Sequence, residues 1–97
     1  MRLSFLRGAI GDGVQAREWY ALGQRDRSKE FDEELQRALD RVAQFPRSGA
    51  PYLAGTRRVL LRRFPYFVVY RVRGNTVVVL AIAHFSQETG FWMGRPE

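Results

Sequence analysis

Apolar side chains are densest between Arg57 and Phe85, in RRVLLRRFPYFVVYRVRGNTVVVLAIAHF, where valine, isoleucine, phenylalanine and tyrosine dominate. β-Branched and aromatic side chains fit a pleated, half-buried surface, so the stretch predicts strands. Pro65 and Gly74-Asn75 divide it into three runs, Arg57–Phe64, Tyr66–Arg73 and Thr76–Phe85. Gly-Asn between two such runs predicts a two-residue hairpin, because tight hairpin turns need positive φ. In the third run VVVLAIA is apolar on both parities, as in a central strand covered on both faces. The first two runs carry arginines at their edges, and alternation along the first sets Arg57 and Arg63 on one face and Arg58 and Arg62 on the other.

Upstream the pattern changes. Arg2–Arg7 is short and apolar enough for an opening strand, after which Gly8, Gly11 and Gly13 loosen the chain and Asp12 is placed to cap a helix. Val14–Leu22 fits that helix, with Ala16, Trp19, Tyr20 and Leu22 at helical spacings, and Gly23 ends it. Asp26–Ser28 opens a clearer helix in which Phe31, Leu35, Ala38, Leu39, Val42 and Phe45 recur three or four apart and charged residues fill the wet face. Acidic residues crowd its first turns, at the positive end of the helix dipole, and Pro46 stops it. A loop of turn formers, Arg47–Thr56, leads into the strands. The tail Ser86–Glu97 holds Phe91, Trp92 and Met93, too bulky to stay idle in a small domain, so it is expected to fold back on a sheet edge or into a groove. The expectation is one domain over residues 1–97, α+β in class, ordered β-α-α-β-β-β: a helical hairpin on a mostly antiparallel sheet with a short C-terminal tail.

Charge sharpens this picture. The net charge is +6, and residues 1–46 balance eight basic against eight acidic groups, so the whole excess falls on residues 47–97. Such segregation points to an acidic or polyanionic partner for the sheet half. No run is long enough to span a membrane, and the N-terminus is too short and too charged in its apolar part for a signal peptide. The absence of cysteine removes disulfides, thiolate metal sites and thiol nucleophiles, and fits a reducing cytoplasm. The one histidine, His84, has no ligand partner of its own kind, and neither a metal nor another cofactor is expected.

Taken in chain order, Ala16–Tyr20, Phe31–Pro46, Arg57-Arg58, Arg62–Val72, Val77–His84 and the terminal Trp92–Arg95 resemble the RelE/ParE toxin superfamily of bacterial toxin–antitoxin systems over nearly the whole chain. The resemblance implies the superfamily's small α+β fold, a neutralising antitoxin and one of two activities. These are poisoning of DNA gyrase (the ParE branch) or cleavage of mRNA in the ribosome (the RelE branch). RNA cleavage needs a proton acceptor, a proton donor and cations for the phosphorane charge. The nuclease branch supplies basic residues at the positions of Arg58, Leu60, Phe67 and Gln87, and here only Arg58 is basic. The expectation is therefore the ParE-like, non-hydrolytic branch, with DNA gyrase and a cognate antitoxin as partners. Should the nuclease alternative hold, with ribosome and mRNA as partners, its catalytic candidates are Arg58, Tyr70 and His84. A third alternative is a decayed member that binds a partner and poisons nothing.

The remaining candidates divide by chemistry. Arg57, Arg58, Arg62, Arg71 and Arg73, with Trp92 and Arg95, are expected to bind a partner or nucleic acid. Arg95 has a structural use as well, stacking on Trp92 or pairing with a carboxylate from the helices. Tyr70, between valines, suits a core tyrosine with a bonded hydroxyl, and His84 an orienting hydrogen bond at a strand end. Trp19 and Tyr20 are expected in the helix–sheet core; by the resemblance they border the antitoxin groove.

Overall fold

The computed structural model describes residues 1–97, in the order β1 (Arg2–Phe5), α1 (Arg7–Ala21), α2 (Ser28–Gln44), β2 (Ala50–Pro51), β3 (Arg57–Leu60), β4 (Tyr66–Arg73) and β5 (Thr76–His84). The strands form one sheet, β1-β5-β4-β3-β2, antiparallel except where β1 lies parallel to β5. β5 is the central strand that its apolar character requires, with Val77–Ala83 all buried. Between β4 and β5 the hairpin turns on Gly74, at φ 61°, with Arg73 opposite Thr76.

The helices pack on one face. Tyr66 and Val68 point toward them, and Tyr66 meets Phe31 of α2 and Tyr20 of α1 with ring centroids 5.3 and 6.2 Å apart. Phe64 completes this cluster, 4.9 Å from Tyr20 and 5.4 Å from Phe31. α2 buries the stripe Phe31, Ala38, Leu39 and Val42, and Asp26 accepts hydrogen bonds from the Ser28 amide and hydroxyl just before it. Those bonds hold the Asp26 carboxyl below its usual range, the side-chain bond foremost.

Tyr70 faces the helices too, fully buried, and its hydroxyl donates to the Pro46 carbonyl (2.7 Å) and accepts from the Gly49 amide (2.9 Å). It ties the end of α2 to β4.

Three expectations are corrected. α1 begins at Arg7, not Val14, so Gly8, Gly11 and Gly13 lie inside a helix. Glycine costs about 1 kcal/mol against alanine there, and tertiary packing overrides that. Gly8 shows how: a Cβ at this position would come within 2.6 Å of the Arg95 guanidinium, so the bare backbone is what lets Arg95 cross α1. Asp12, placed mid-helix, caps nothing. β3 ends at Leu60, not Phe64; the chain bends through Arg62–Pro65 and Arg63 takes a left-handed φ of 66°, so strand alternation does not govern Arg62 and Arg63. Trp19 is not core but 73% exposed, while Tyr20 is half-buried. Neighbours on a helix point 100° apart, and only one of them can face the sheet.

The tail folds back over the sheet face opposite the helices. Trp92 is 2% exposed, against Tyr52 from the β2–β3 loop. Replacing a buried tryptophan by alanine costs about 3–5 kcal/mol, whereas an ion pair with an exposed partner, such as that of Glu97 with Arg73, contributes about 0–1 kcal/mol. Indole burial therefore outweighs the Glu97 ion pairs in holding the tail on this face.

Tyr70→Phe leaves the Gly49 amide and the Pro46 carbonyl without their partner. We expect a loss of about 1–3 kcal/mol in urea unfolding with unchanged m-value. A loss under about 0.5 kcal/mol would mean that water or a shifted loop replaces the hydroxyl.

Candidate functional site

Where the strands end beside the tail, a concavity of about 290 Å³ opens between Tyr52, Arg58, Leu60, Phe67, His84, Gln87, Phe91 and Trp92. Its parts come from four segments. Arg58 and Leu60 project from β3 on the face away from the helices, opposite Val69 and Phe67 of β4. His84 ends β5, the tail supplies Gln87, Phe91 and Trp92, and Tyr52 reaches in from the β2–β3 loop. The Arg58 guanidinium stacks 4.5 Å from the Tyr52 centroid and 5.2 Å from that of Phe67, and it makes no ion pair or hydrogen bond.

His84 is set by its neighbours. Its Nδ1 lies 3.0 Å from the Ser86 amide, which can only donate, so Nδ1 accepts and the neutral ring carries its proton on Nε2. Ser86 Oγ lies 2.7 Å from the same nitrogen. Gln87 turns back so that its Oε1 accepts the His84 amide (2.8 Å), which leaves the Gln87 NH2 group unengaged. The concavity is thus lined by the Arg58 guanidinium, the His84 ring and the Gln87 side chain, with His84 Nδ1 occupied by the Ser86 amide.

A second hollow adjoins the first through His84 and Gln87. It runs along α1 past Asp12, Gln15, Ala16 and Trp19 to Tyr66. On α1, Ile10, Val14 and Trp19 are exposed, as is Leu22 just past its end. No three His, Cys, Asp or Glu side chains group closely enough to hold a metal ion.

The other candidates lie elsewhere. Tyr70 is sealed on the helix face and does not reach the concavity that Arg58 and His84 share. Arg57 donates to the Gly49 carbonyl (2.7 Å) beside an open hollow floored by Met1, Phe45 and Val72. Arg62 sits with Arg37 and Arg41 of α2. Arg71 and Arg73 face Glu97, and Nε of Arg71 is buried without a partner. Arg95 pairs with Asp12 through two bonds, 2.8 and 2.9 Å, and donates to the Leu80 carbonyl at 3.0 Å. The Asp12 hydrogen bonds raise the guanidinium pKa above its ordinary value. Asp12 also accepts the Ile82 amide at 3.0 Å. Sequence reasoning missed Asp12 in this role and Tyr52 altogether; an aromatic residue in a loop of glycines and prolines was the available signal.

Known proteins place this architecture. No curated protein is similar enough in sequence to count as a match. Among solved structures, the chromosomal ParDE toxin–antitoxin system from P. aeruginosa matches with a TM-score of 0.75 at 24% identity, over 87% of this chain and 95% of that one. The intact E. coli RelBE toxin–antitoxin complex matches with a TM-score of 0.61 at 25% identity, over 89% of this chain and 98% of that one. The isolated E. coli RelE toxin gives a TM-score of 0.61 at 22% identity, over 91% of this chain and 87% of that one. The fold is thus that of the small α+β toxins of the RelE/ParE superfamily. Within it, residues 3–89 match the family described as ParE toxin of type II toxin-antitoxin system, parDE, and the chain belongs to that family. No helix is long and apolar enough to cross a membrane.

Burial holds the hydroxyls of Tyr20 and Tyr66 above their ordinary pKa of 10.0. The folded chain keeps these protons to higher pH than the unfolded chain, so the stability they add is complete below that value and is lost as pH rises through the raised ones. We expect the unfolding free energy to fall above about pH 10 and Tyr20→Phe with Tyr66→Phe to flatten that fall. An equally steep decline in the double variant would assign it to other groups.

Proposed function

We propose that this ParE-type toxin acts in the cytoplasm by binding and poisoning DNA gyrase, without chemistry of its own, and that a cognate antitoxin neutralises it. Membership of the ParE family supports this reading. The observation that carries the non-hydrolytic part is the make-up of the concavity: Arg58 is its one cation, Phe67 and Gln87 are uncharged, and Glu88 lines the same wall. Stabilising a phosphorane needs concentrated positive charge, which this lining does not supply. His84 Nδ1 is taken up by the Ser86 amide, so that nitrogen is not available as a base, and Tyr70 is locked in the core. The antitoxin surface is supported by the exposed apolar residues of α1 and just past its end, where Trp19 and Leu22 are 73% and 86% exposed. Segments that order on binding use such surfaces.

One observation favours the ribosome-dependent nuclease: Arg58 and His84 do share a solvent-filled concavity. The two readings separate in growing bacteria. On induction of the chain we expect labelled thymidine incorporation to fail first, with labelled leucine uptake following. Leucine uptake stopping within minutes while thymidine continues would overturn the gyrase reading, and unaffected growth with the chain accumulating would point to a decayed member.

A further inference from the structure

Arg58 differs from Arg57, Arg71 and Arg73, the other arginines of β3 and β4, which are partly or fully engaged. Arg57 donates to backbone carbonyls and Arg71 and Arg73 meet Glu97, but Arg58 is held only by the faces of Tyr52 and Phe67. Stacking fixes the plane of the guanidinium and uses none of its five N–H donors. A half-buried cation with its donors unused has lost part of its hydration and gained no partner, and that makes it a receptor for an anion. Gln87 and His84 line the same concavity, with apolar walls from Leu60, Phe85 and Phe91.

We propose that this concavity seats one carboxylate side chain on an apolar-flanked segment of the antitoxin, with Arg58 as its bidentate partner; this rests on the toxin–antitoxin reading above. Charge decides between a carboxylate and a nucleic acid. A phosphodiester chain carries a charge at every nucleotide and draws its affinity from several cations at once. Here a single guanidinium stands against Glu88, a match for one carboxylate fork and not for a polyanion. The aromatic walls suit apolar neighbours of that acidic residue. Since His84 and Gln87 also border the hollow that leads to Trp19, the same segment continues over them and lays an apolar side chain on the exposed indole. Pre-set stacking of Arg58 reduces the ordering cost of binding.

The test is calorimetric titration of the chain with its candidate antitoxin, any small protein whose gene adjoins that of this chain, in parallel with hexauridylate. Arg58→Gln is expected to weaken binding of that protein about ten- to hundredfold, the loss of a charge-assisted bidentate contact. Because Arg58 also packs against two rings, Gln87→Glu serves as the second variant. It keeps an oxygen for the His84 amide and puts a negative charge where the carboxylate arrives, and is expected to weaken binding at least about tenfold. Arg2→Gln, on the exposed edge strand, is expected to stay within roughly twofold. Wild-type affinity in both Arg58→Gln and Gln87→Glu would overturn the proposal and leave the toxin–antitoxin reading intact. Failure of the wild-type chain to bind at all would overturn that reading and the proposal with it. Hexauridylate binding that Arg58→Gln abolishes, with the protein titration unchanged, would assign the concavity to nucleic acid instead.

Discussion

Asp12 and Arg95 lie 83 residues apart and meet in a two-bonded ion pair at the side of β5. The pair answers a problem set by strand lengths. β1 accompanies β5 only as far as Val79, yet β5 runs on to His84. Beyond Val79 the edge groups of β5 have no neighbouring strand, and unpaired buried backbone groups cost about 1–3 kcal/mol each. Asp12 accepts the Ile82 amide, and Arg95 donates to the carbonyl of Leu80, the residue skipped where the β4–β5 register shifts. A carboxylate from α1 and a guanidinium from the tail thus take the place of the missing strand. Their side chains are only 11% and 22% exposed, so the pair is shielded from the screening that makes surface ion pairs weak.

The rest of the site depends on this. Once Arg95 is fixed across Gly8, the tail before it is drawn over the open face of the sheet and Trp92 drops into the core against Tyr52. That path stands Gln87, Phe91 and Trp92 around Arg58 and creates the concavity. The helices build the opposite face with the same economy of parts: α2 is amphipathic and covered, whereas α1 spends its buried positions on β5 and leaves Ile10, Val14 and Trp19 exposed.

Much of this was legible in the sequence, because period and punctuation are local. VVVLAIA identified the central strand, Gly74-Asn75 the hairpin, and the stripe from Phe31 to Val42 the second helix. What escaped was set by contacts distant in sequence. Gly8, Gly11 and Gly13 look like a loop until Arg95 is seen crossing Gly8. Arg57–Phe64 reads as one strand because nothing local reveals that Arg63 will turn left-handed at φ 66°. The candidate site was legible in part: Arg58 and His84 come together, but parity cannot say that Tyr70 lies on the far face of the sheet, nor can composition place Tyr52 under a guanidinium. The superfamily resemblance supplied the fold, the partner class and the loss of cations at Leu60, Phe67 and Gln87, while their gathering with Glu88 around one concavity is set by the fold.

The central claim is that one ion pair closes the sheet edge and holds the tail that completes the site. A double-mutant cycle of Asp12→Ala and Arg95→Ala, read by urea unfolding and by acrylamide quenching of Trp92 in a Trp19→Phe background, tests it directly. The account expects a coupling energy of about 1.5–3 kcal/mol and a Trp92 that becomes accessible to quencher in each single variant. A coupling near zero with Trp92 still protected would show that the tail is held by indole burial alone, and would contradict the claim.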